Sequence, residues 1–385
     1  MECQAVFGSQ FGDCGKGKTV SFLCHLSKNP LVIRFSGGQQ AGHKIVIKNE
    51  RLYRGDSFRE SSHICSNLGS GTLQGFDTYW SKYCTLDPVG LENEFIHLDK
   101  ITKYMKFNRR MRLYVDEQCP ITTPYDKIAN IKRSNKSKHG TCGVGVGTTL
   151  QREEDRYSLL ASDFSNKSIF MMKLDLIKQY YGFKLNKAVL DEFIDIAFKI
   201  ETIMHFTNGI PSEKTYSNYI FEGSQGLLLD QDIGFFPHVT RGNVGSKNIL
   251  DMGYEPEVFL VTRAYQTRHG NGPMTNYIKG IKTHIKENIY EHNNSSGIQG
   301  DFRKSTLDLD LLKYAINKDE YIKNKKDKTL VITCMDLITE FKLTLKGKEY
   351  NVPYKKHFID LIKETLQIDN VLLSYSPYHN ELQQG

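Results

Sequence analysis

The stretch Gly8-Ser9-Gln10-Phe11-Gly12-Asp13-Cys14-Gly15-Lys16-Gly17-Lys18-Thr19 decides the fold class of this chain. From Gly12 to Thr19 it has the spacing of a phosphate-binding loop, in which a glycine and four residues precede Gly-Lys-Thr. Residues 3–7 before it predict a short buried strand, and residues 20–26 after it predict a helix. In a strand–loop–helix unit of this kind, backbone N–H groups and the Lys18 ammonium can hold phosphate oxygens.

One residue of this loop does not fit a simple phosphate cradle. Asp13 places a carboxylate where phosphate oxygens would lie, and that repulsion is tolerable only with a metal ion or a proton-transfer role. The loop therefore predicts an enzyme rather than a passive nucleotide binder. The alternative is an ordinary glycine-rich turn between a strand and a helix.

Size and composition indicate a globular protein of the cytoplasm. The chain has 385 residues, of which 39% are hydrophobic and 25% are charged, and no apolar run approaches the roughly 20 residues of a membrane span. The N-terminus shows no basic-then-apolar leader, so we expect no signal peptide and no membrane partner. The eight cysteines are scattered without a CxxC pair, which favours reduced thiols over a disulfide framework or a zinc site.

The formal charge of +7 is spread over basic clusters at residues 109–112, 132–138 and 323–328. Such clusters are most often solvated surfaces, and an anionic small-molecule substrate is the second interpretation. Because no aromatic-interleaved basic motif accompanies them, we expect no nucleic-acid partner.

Several near-continuous apolar segments predict the architecture. Residues 30–35, 219–222, 257–261 and 329–333 read as buried strands that end in glycine or small-residue turns. A helical stretch runs from about 171 to 206 with a break at Gly182-Phe183. Its buried side is expected to be lined by Leu176, Tyr180, Val189, Phe193, Ile196 and Ile200. We therefore predict an α/β fold over residues 1–385, one large domain with a mainly parallel central sheet flanked by helices. Ligands would bind at the loops that follow the strands.

Three further glycine-rich loops carry polar residues suited to chemistry. His43 ends the loop Ser36–Lys44, directly after a strand, and offers an acid partner to the Asp13 carboxylate. The run from His139 to Thr149 contains GxGxG but no dinucleotide fingerprint, so a phosphate pocket with the Thr141 hydroxyl is more natural. Gln225, at the mouth of a strand, suits recognition of a base edge.

Together these loops resemble adenylosuccinate synthetase over most of the chain. That family opens with Gly-x-Gln-Trp-Gly-Asp-Glu-Gly-Lys-Gly-Lys, matched at Gly8 to Lys18 with Phe11 for Trp and Cys14 for Glu. Its other three motifs follow in the same order. They are Gly-Gly-x-Asn-Ala-Gly-His at Gly37 to His43, Glu-Gly-Ala-Gln-Gly at Glu222 to Gly226, and Ser-Thr-Arg-Val-Gly-Ala-Gly-Pro at Gln266 to Pro273.

The resemblance implies a purine-biosynthetic ligase that joins L-aspartate to C6 of a 6-oxopurine nucleoside monophosphate, with hydrolysis of GTP. Asp13 would remove the N1 proton, the O6 oxyanion would attack the γ-phosphate, and aspartate would displace phosphate from the 6-phosphoryl intermediate. His43 and Lys16 would stabilise the developing charge. Mg²⁺ would be held by Asp13 and the backbone carbonyl of Gly42.

The same resemblance implies the binding residues. The substrate nucleotide would be held by Gln40, Thr141, Arg152, Gln225 and Thr240, with Arg152 reaching in from the partner of a homodimer. Arg303 would bind aspartate. The triphosphate would be held by Gly12, Gly15, Gly17, Lys18, Thr19, Gly42, Asp336 and Ser374. In Thr333-Cys334-Met335-Asp336, Cys334 replaces the usual lysine of the guanine motif, so ATP remains an alternative to GTP.

Three departures surround the substrate pocket. Gln40 replaces Asn, Cys142 and Val144 replace Thr and Arg, and the family's arginine-rich loop is thinned to Ser296–Lys304. They are either neutral or mark a different nucleotide, since some phage relatives join aspartate to dGMP. Many of those are expected to carry Ser at the position of Asp13, so the retained Asp13 favours IMP.

Two other classes of protein are alternatives to the ligase. A catalytically silent nucleotide-binding regulator would not need Asp13, Lys16 and His43 together. A phosphate-loop kinase or ATPase would not need the Gly37–His43 loop, and its magnesium aspartate would lie at the end of a separate strand.

Overall fold

The computed structural model of the protein describes residues 2–48, 60–105, 111–137, 141–212, 214–280, 283–291, 293 and 299–385. The strands are β1 Glu2–Gly8, β2 Pro30–Arg34, β3 His43–Lys48, β4 Glu60–Cys65, β5 Asp77–Trp80, β6 Leu113–Asp116, β7 Met204–Thr207, β8 Asn218–Gly226, β9 Glu257–Arg263, β10 Tyr265–His269, β11 Phe302–Asp308, β12 Lys328–Thr333, β13 Phe341–Leu345, β14 Lys348–Val352, β15 Asn370–Leu373 and β16 Gln383–Gln384. The helices are α1 Lys16–Leu26, α2 Pro88–Met105, α3 Pro124–Ser137, α4 Val146–Glu154, α5 Lys167–Tyr181, α6 Lys187–Glu201, α7 Lys247–Asp251, α8 Leu309–Lys318, α9 Glu320–Asn324 and α10 Lys355–Leu366.

The main sheet has ten strands in the order β16-β15-β12-β9-β1-β8-β2-β5-β6-β7. All of its strand pairs are parallel except β15 with β16 at one edge. A four-stranded sheet, β10-β11-β13-β14, and the hairpin β3-β4 complete the β-structure. The predicted α/β fold with a mainly parallel central sheet is confirmed.

The central strands are buried on both faces. Alternate residues of β1, such as Ala5 and Phe7, pack with α8 and α10 in the largest apolar cluster. Val6 between them packs with α1 on the opposite face. Because successive side chains of a strand point to opposite faces, this double covering requires the continuous apolar segments seen in the sequence.

The long helical stretch predicted between 171 and 206 is two helices and a strand. The break falls at Gly182, where a φ of 67° lets α5 end in a left-handed residue. The prediction is wrong at its C-terminal end, because residues from Met204 onward form β7 and pair with β6. It is also wrong for Leu176 and Val189, which are 49% and 43% exposed because α5 and α6 bury other faces.

Loops that follow parallel strands meet at one edge of the sheet. The segments after β1, β2, β8, β12 and β15 therefore converge there, and they include the glycine-rich loops singled out in the sequence. Parts of the basic clusters at 109–112 and 132–138, and residues 296–298 of the thinned loop, lie outside the described residues. Within the part of the chain that the structure describes, none of the helices is long and apolar enough to cross a membrane.

Candidate functional site

A cavity of about 1060 Å³ opens at this edge of the sheet. Its size suits more than one nucleotide-sized ligand, because single-ligand pockets are about 300–1,000 Å³. Most of the predicted site residues line it, namely Asp13, Gly15, Lys16, Gly17, Lys18, Gln40, Gly42, His43, Thr141, Gln225, Thr240, Asp336 and Ser374. The predicted residues outside its lining are Gly12, Thr19, Arg152 and Arg303.

Asp13 sits in a backbone conformation that a non-glycine residue rarely adopts, with φ of 50°. Its carbonyl accepts a hydrogen bond from Arg263 Nε, and Arg263 is itself held by the Tyr265 hydroxyl and the Glu291 carboxylate, each at 2.8 Å. Among the described residues, no hydrogen bond or salt bridge engages the Asp13 carboxylate. Backbone strain next to a carboxylate directed to a cavity is typical of an active site.

His43 and Glu222 form a buried pair behind the cavity wall. Glu222 is fully buried and accepts a short hydrogen bond from His43 Nδ1. Burial acts to raise the pKa of Glu222, but His43, Arg34 and Ser70 outweigh it and lower that pKa to about 2. Burial lowers the pKa of His43, and the Glu222 carboxylate offsets only part of this effect. The Glu222 carboxylate is therefore ionised at pH 7 and can accept the hydrogen bond from His43.

Lys16 brings a buried positive charge to the same wall. Its side chain is 3% exposed, and its ammonium lies 4.0 Å from Cys14 Sγ, a weak partner. A buried ammonium is costly without an anion. The position of Lys16 therefore favours a negatively charged ligand in the cavity.

Two glycines of the phosphate loop are required by close packing. At Gly15, where φ is 95°, a Cβ would come within 2.9 Å of Thr333 Cγ2. At Gly17 a Cβ would come within 2.6 Å of His43 Cβ and 3.0 Å of Ser70 Oγ. The loop thus lies directly against β12 on one side and against His43 on the other.

One end of the cavity is lined by amide and hydroxyl side chains. Both the Oε1 and the Nε2 of Gln40 are buried and have no hydrogen-bond partner among the described residues. Thr141 donates to Asn130 Oδ1 at 3.0 Å and accepts from the backbone of Gly143. With Gln225 and Thr240, these groups offer donors and acceptors to a polar ligand.

The other end is formed by the segments after β12 and β15. Lys18 donates to the Ser374 hydroxyl, to the Ser376 carbonyl at 2.6 Å and to the Glu381 carbonyl at 3.2 Å. Burial lowers the pKa of Lys18 to about 8 and raises the pKa of the nearby Asp336. The Thr19 hydroxyl turns back to the Gly15 carbonyl at 3.2 Å instead of facing the cavity.

Arg152 does not lie where the resemblance implied. It is fully buried, and its guanidinium donates to Asp126 Oδ1 at 3.0 Å, Glu153 Oε1 at 2.7 Å and the Ile121 carbonyl at 2.8 Å. Further bonds reach the Tyr157 carbonyl and the second Asp126 oxygen. The side chain is thereby committed to its own chain, so this placement does not support a contact with a partner's nucleotide.

Arg303 lies beside the cavity on β11, opposite Arg268 of β10. Arg268 is used within the fold: it donates to the carbonyls of Asn271, Pro273 and His238 and stacks 4.0 Å from the centre of the Phe11 ring. Arg303 donates to the Gly272 carbonyl at 3.0 Å, and its Nε is buried with no partner among the described residues. Arg303 therefore keeps a donor available for a ligand.

Among the residues that the structure describes, two places have donor atoms suited to a metal ion. The Asp13 carboxylate and the segment containing Gly42 line one cavity, and oxygen donors are those Mg²⁺ prefers. His63, Cys65 and Glu94 also place their donor atoms within 4.8 Å of one another. There, however, the Glu94 carboxylate already accepts from the backbone of Ser66 and Asn67 and from the Asn67 amide, which accounts for that cluster as a loop anchor.

Several site residues were not assigned a role from sequence. Glu222 lies within a quoted motif, but a carboxylate at a strand end does not indicate which histidine it contacts. Ser70 and Arg263 carry no motif at all. The segment from Lys286 to Glu291, which lines the cavity, has no distinctive composition. Only the buried position of Glu222 in an apolar strand was a signal that could have been used.

Comparison with known proteins bears on the family of this chain. The sequence model of adenylosuccinate synthetase matches residues 5–383. Adenylosuccinate synthetases from Glaesserella parasuis serovar 5 (strain SH0165) and Histophilus somni (strain 129Pt) are 31% and 32% identical to the chain over 300 and 295 residues. These alignments cover 70% of this chain and 64% and 63% of the relatives, so the chain spans less than two thirds of the length of the curated relatives it matches.

Two solved structures share the fold. Fully ligated adenylosuccinate synthetase from Plasmodium falciparum superposes with a TM-score of 0.76 at 18% identity, covering 99% of each chain. Succinoaminodeoxyadenylate synthetase (PurZ) of cyanophage S-2L, bound to dGMP and to dATP as an energy donor, superposes with a TM-score of 0.64 at 14% identity, covering 100% of this chain and 95% of the other. At such low sequence identities these similarities show only that the fold is shared. The family is shown by the sequence model, which matches nearly the whole chain. The chain belongs to the adenylosuccinate synthetase family.

Proposed function

We propose that this protein joins L-aspartate to C6 of a 6-oxopurine nucleoside monophosphate, with IMP as the substrate and GTP as the phosphoryl donor. The observation that carries the proposal is that Asp13, Lys16 and His43 line the same cavity. A base, a buried cation and an imidazole are the groups that such a phosphoryl transfer requires.

The chemistry follows from the positions of these groups. The Asp13 carboxylate accepts the N1 proton, and the O6 oxygen then bonds to the γ-phosphorus while the nucleoside diphosphate leaves. Lys16 and His43 stabilise the negative charge on O6 and on the transferred phosphoryl group. The amine of aspartate next bonds to C6, and inorganic phosphate leaves with the C6–O6 bond electrons.

Asp13 and the Gly42 carbonyl would hold Mg²⁺. The ion would neutralise phosphate charge. The uncommitted Asp13 carboxylate supports this assignment, because a metal would give it the partner that the described residues do not.

The remaining assignments divide the cavity between the ligands. Gln40, Thr141, Gln225 and Thr240 would bind the monophosphate, and Arg303 the aspartate carboxylate. Glycines of the phosphate loop, with Lys18 and Ser374, would bind the triphosphate, and Asp336 would accept hydrogen bonds from guanine N1 and N2. A homodimer and one functional domain over residues 1–385 belong to the proposal. The hydrogen bonds of Arg152 within its own chain do not support a substrate contact for it.

The second candidate is the same ligation on dGMP, with ATP as an alternative donor. The observation that favours it is the unpartnered amide of Gln40, whose buried oxygen could accept from a 2-amino group absent from IMP. The architecture shared with the S-2L enzyme, which was solved with dGMP, is consistent with it.

The test is aspartate-dependent phosphate release by the purified protein with Mg²⁺. IMP, dIMP, GMP and dGMP are each combined with GTP and with ATP, and products are identified by mass. Release with IMP and GTP is the expected result, and release mainly with dGMP selects the second candidate. Nucleotide binding without release in any combination contradicts both and favours a silent regulator.

A further inference from the structure

Glu222, Ser70, Gly17 and His43 form a compact buried group directly behind the cavity wall. We propose that Glu222 is a positioning residue: it fixes the His43 imidazole with Nδ1–H toward the carboxylate and Nε2 toward the ligand. The inference rests on the proposed function, in which negative charge develops beside His43.

The hydrogen bonds leave little freedom to the carboxylate. Glu222 Oε1 accepts from His43 Nδ1 and from the Ser70 hydroxyl, and Oε2 accepts from the Ser70 backbone N–H at 2.9 Å. Two bonds from one serine fix the plane of the carboxylate, and the carboxylate fixes the ring. His43 Nε2 is buried and has no partner among the described residues, although His43 lines the cavity. That nitrogen is therefore available to the ligand.

The charges around the ring explain why a carboxylate is needed. Arg34 of β2 is the cross-strand neighbour of Glu222, and Lys16 of α1 also faces His43. The fully buried Glu222 carboxylate supplies an anion among these cations and holds the ring through Nδ1.

Gly17 supplies the clearance for this arrangement. Because a Cβ there would come within 2.6 Å of His43 Cβ and 3.0 Å of Ser70 Oγ, an alanine must displace the ring or the serine. The phosphate loop and the histidine loop are thus coupled by contact, and a shift in one changes the direction of Nε2 in the other.

The first measurement is nitrogen NMR of the full-length protein, in which the His43 signals are identified by their loss in His43→Gln. The expected result is a pyrrole-type Nδ1 at neutral pH. In Glu222→Gln the new amide can also donate to the ring, so the pyrrole-type Nδ1 signal should give way to a mixture of tautomers. Ser70→Ala should change the Nδ1 signal in the same direction by less, and Gly17→Ala should shift the His43 signals while Glu222 is intact.

The second measurement is kinetic. Glu222→Gln should lower kcat roughly 100-fold with little change in KM for the monophosphate, because ring orientation acts on the transition state. Asp77→Asn is the matched control. It removes another buried carboxylate, which accepts from Tyr216 and Arg112 at the start of β5, and it should leave kcat and the His43 nitrogen signals unchanged.

The outcomes separate this inference from the proposed function. A pyridine-type Nδ1 in the unmodified protein, or an Nδ1 signal that Glu222→Gln leaves unchanged, overturns the inference whatever the enzyme does. If aspartate-dependent turnover is absent from every nucleotide combination, the proposed function fails, and the NMR measurement still decides the role of Glu222.

Discussion

Lys18 Nζ donates to the backbone carbonyl of Ser376 at 2.6 Å, and so ties the phosphate loop to the segment that follows β15. The two residues are far apart in sequence, yet the same ammonium also reaches the Glu381 carbonyl at 3.2 Å. A triphosphate in the cavity would compete with these carbonyls for the charge of Lys18. Binding of the triphosphate and the position of the C-terminal segment are therefore expected to be linked.

Lys18→Met should weaken triphosphate binding about 10- to 100-fold, the value of one charge-assisted hydrogen bond. Because burial lowers the pKa of Lys18 to about 8, affinity in the unmodified protein should also fall as pH rises through 8 and the ammonium loses its proton. Calorimetric titration with GTP between pH 6.5 and 9.5 tests both points. An equal decline in Lys18→Met would assign the pH dependence to another group.

Asp13→Asn should abolish turnover by at least about 1,000-fold, because the amide cannot accept the N1 proton. Folding should be retained, since the Asp13 carboxylate anchors none of the described residues. Thermal unfolding is the control. A large loss of stability would instead make Asp13 a structural residue.

Asp336→Asn should change the base preference of the triphosphate site from guanine toward xanthine. A carboxylate accepts from guanine N1 and N2, whereas an amide offers a donor that suits the extra carbonyl of xanthine. Activity with GTP should fall about 10- to 100-fold, and xanthosine triphosphate should restore part of it. An unchanged ranking of GTP, ATP and xanthosine triphosphate would remove Asp336 from base recognition.

Gly226→Ala should lower the free energy of unfolding by about 3 kcal/mol or more, because the added methyl group overpacks the core. A Cβ at Gly226 would come within 2.0 Å of the Gln10 carbonyl and 2.5 Å of the Gly12 N atom, so β8 and the phosphate loop would have to separate. Gly147→Ala is the matched control, because nothing lies within 4 Å of its Cβ position. In a urea titration this helical control should be neutral or slightly stabilised.

The buried strands could be predicted because parallel strands covered on both faces require continuous apolar segments, as in Val32 and Ile33 of β2. The loops after them could be placed together because the carboxyl ends of parallel strands share one edge. The short strand β7 was missed because Met204–Thr207 continues the apolar pattern of the preceding helix.

The contacts between side chains at the site could not be predicted from the sequence. The motif around His43 does not reveal that its ring faces Glu222, which follows 179 residues later. Arg152 is the opposite case. Its position near a glycine-rich loop suggests a guanidinium free to bind a ligand, but Asp126 and Glu153 already accept its hydrogen bonds. Hydrogen-bond geometry decides such roles, and spacing along the chain does not encode it.

His379 should make the stability of the C-terminal segment depend on pH. Its ring packs edge-on against His25 at 5.3 Å, and burial, with His25 second, lowers its pKa from 6.5 to about 4. Other groups that face it are Lys18, which acts in the same direction, and the Val46 carbonyl, which opposes it. Because the unfolded chain takes up the proton first, the contribution of neutral His379 to the free energy of unfolding is complete above pH 6.5. It is lost as pH falls toward 4, by at most about 1.4 kcal/mol per pH unit.

His379→Phe keeps the ring and removes the titration, so its urea midpoint should fall less than that of the unmodified protein between pH 7 and pH 5. Parallel declines would show that His379 is protonated without cost in the folded chain.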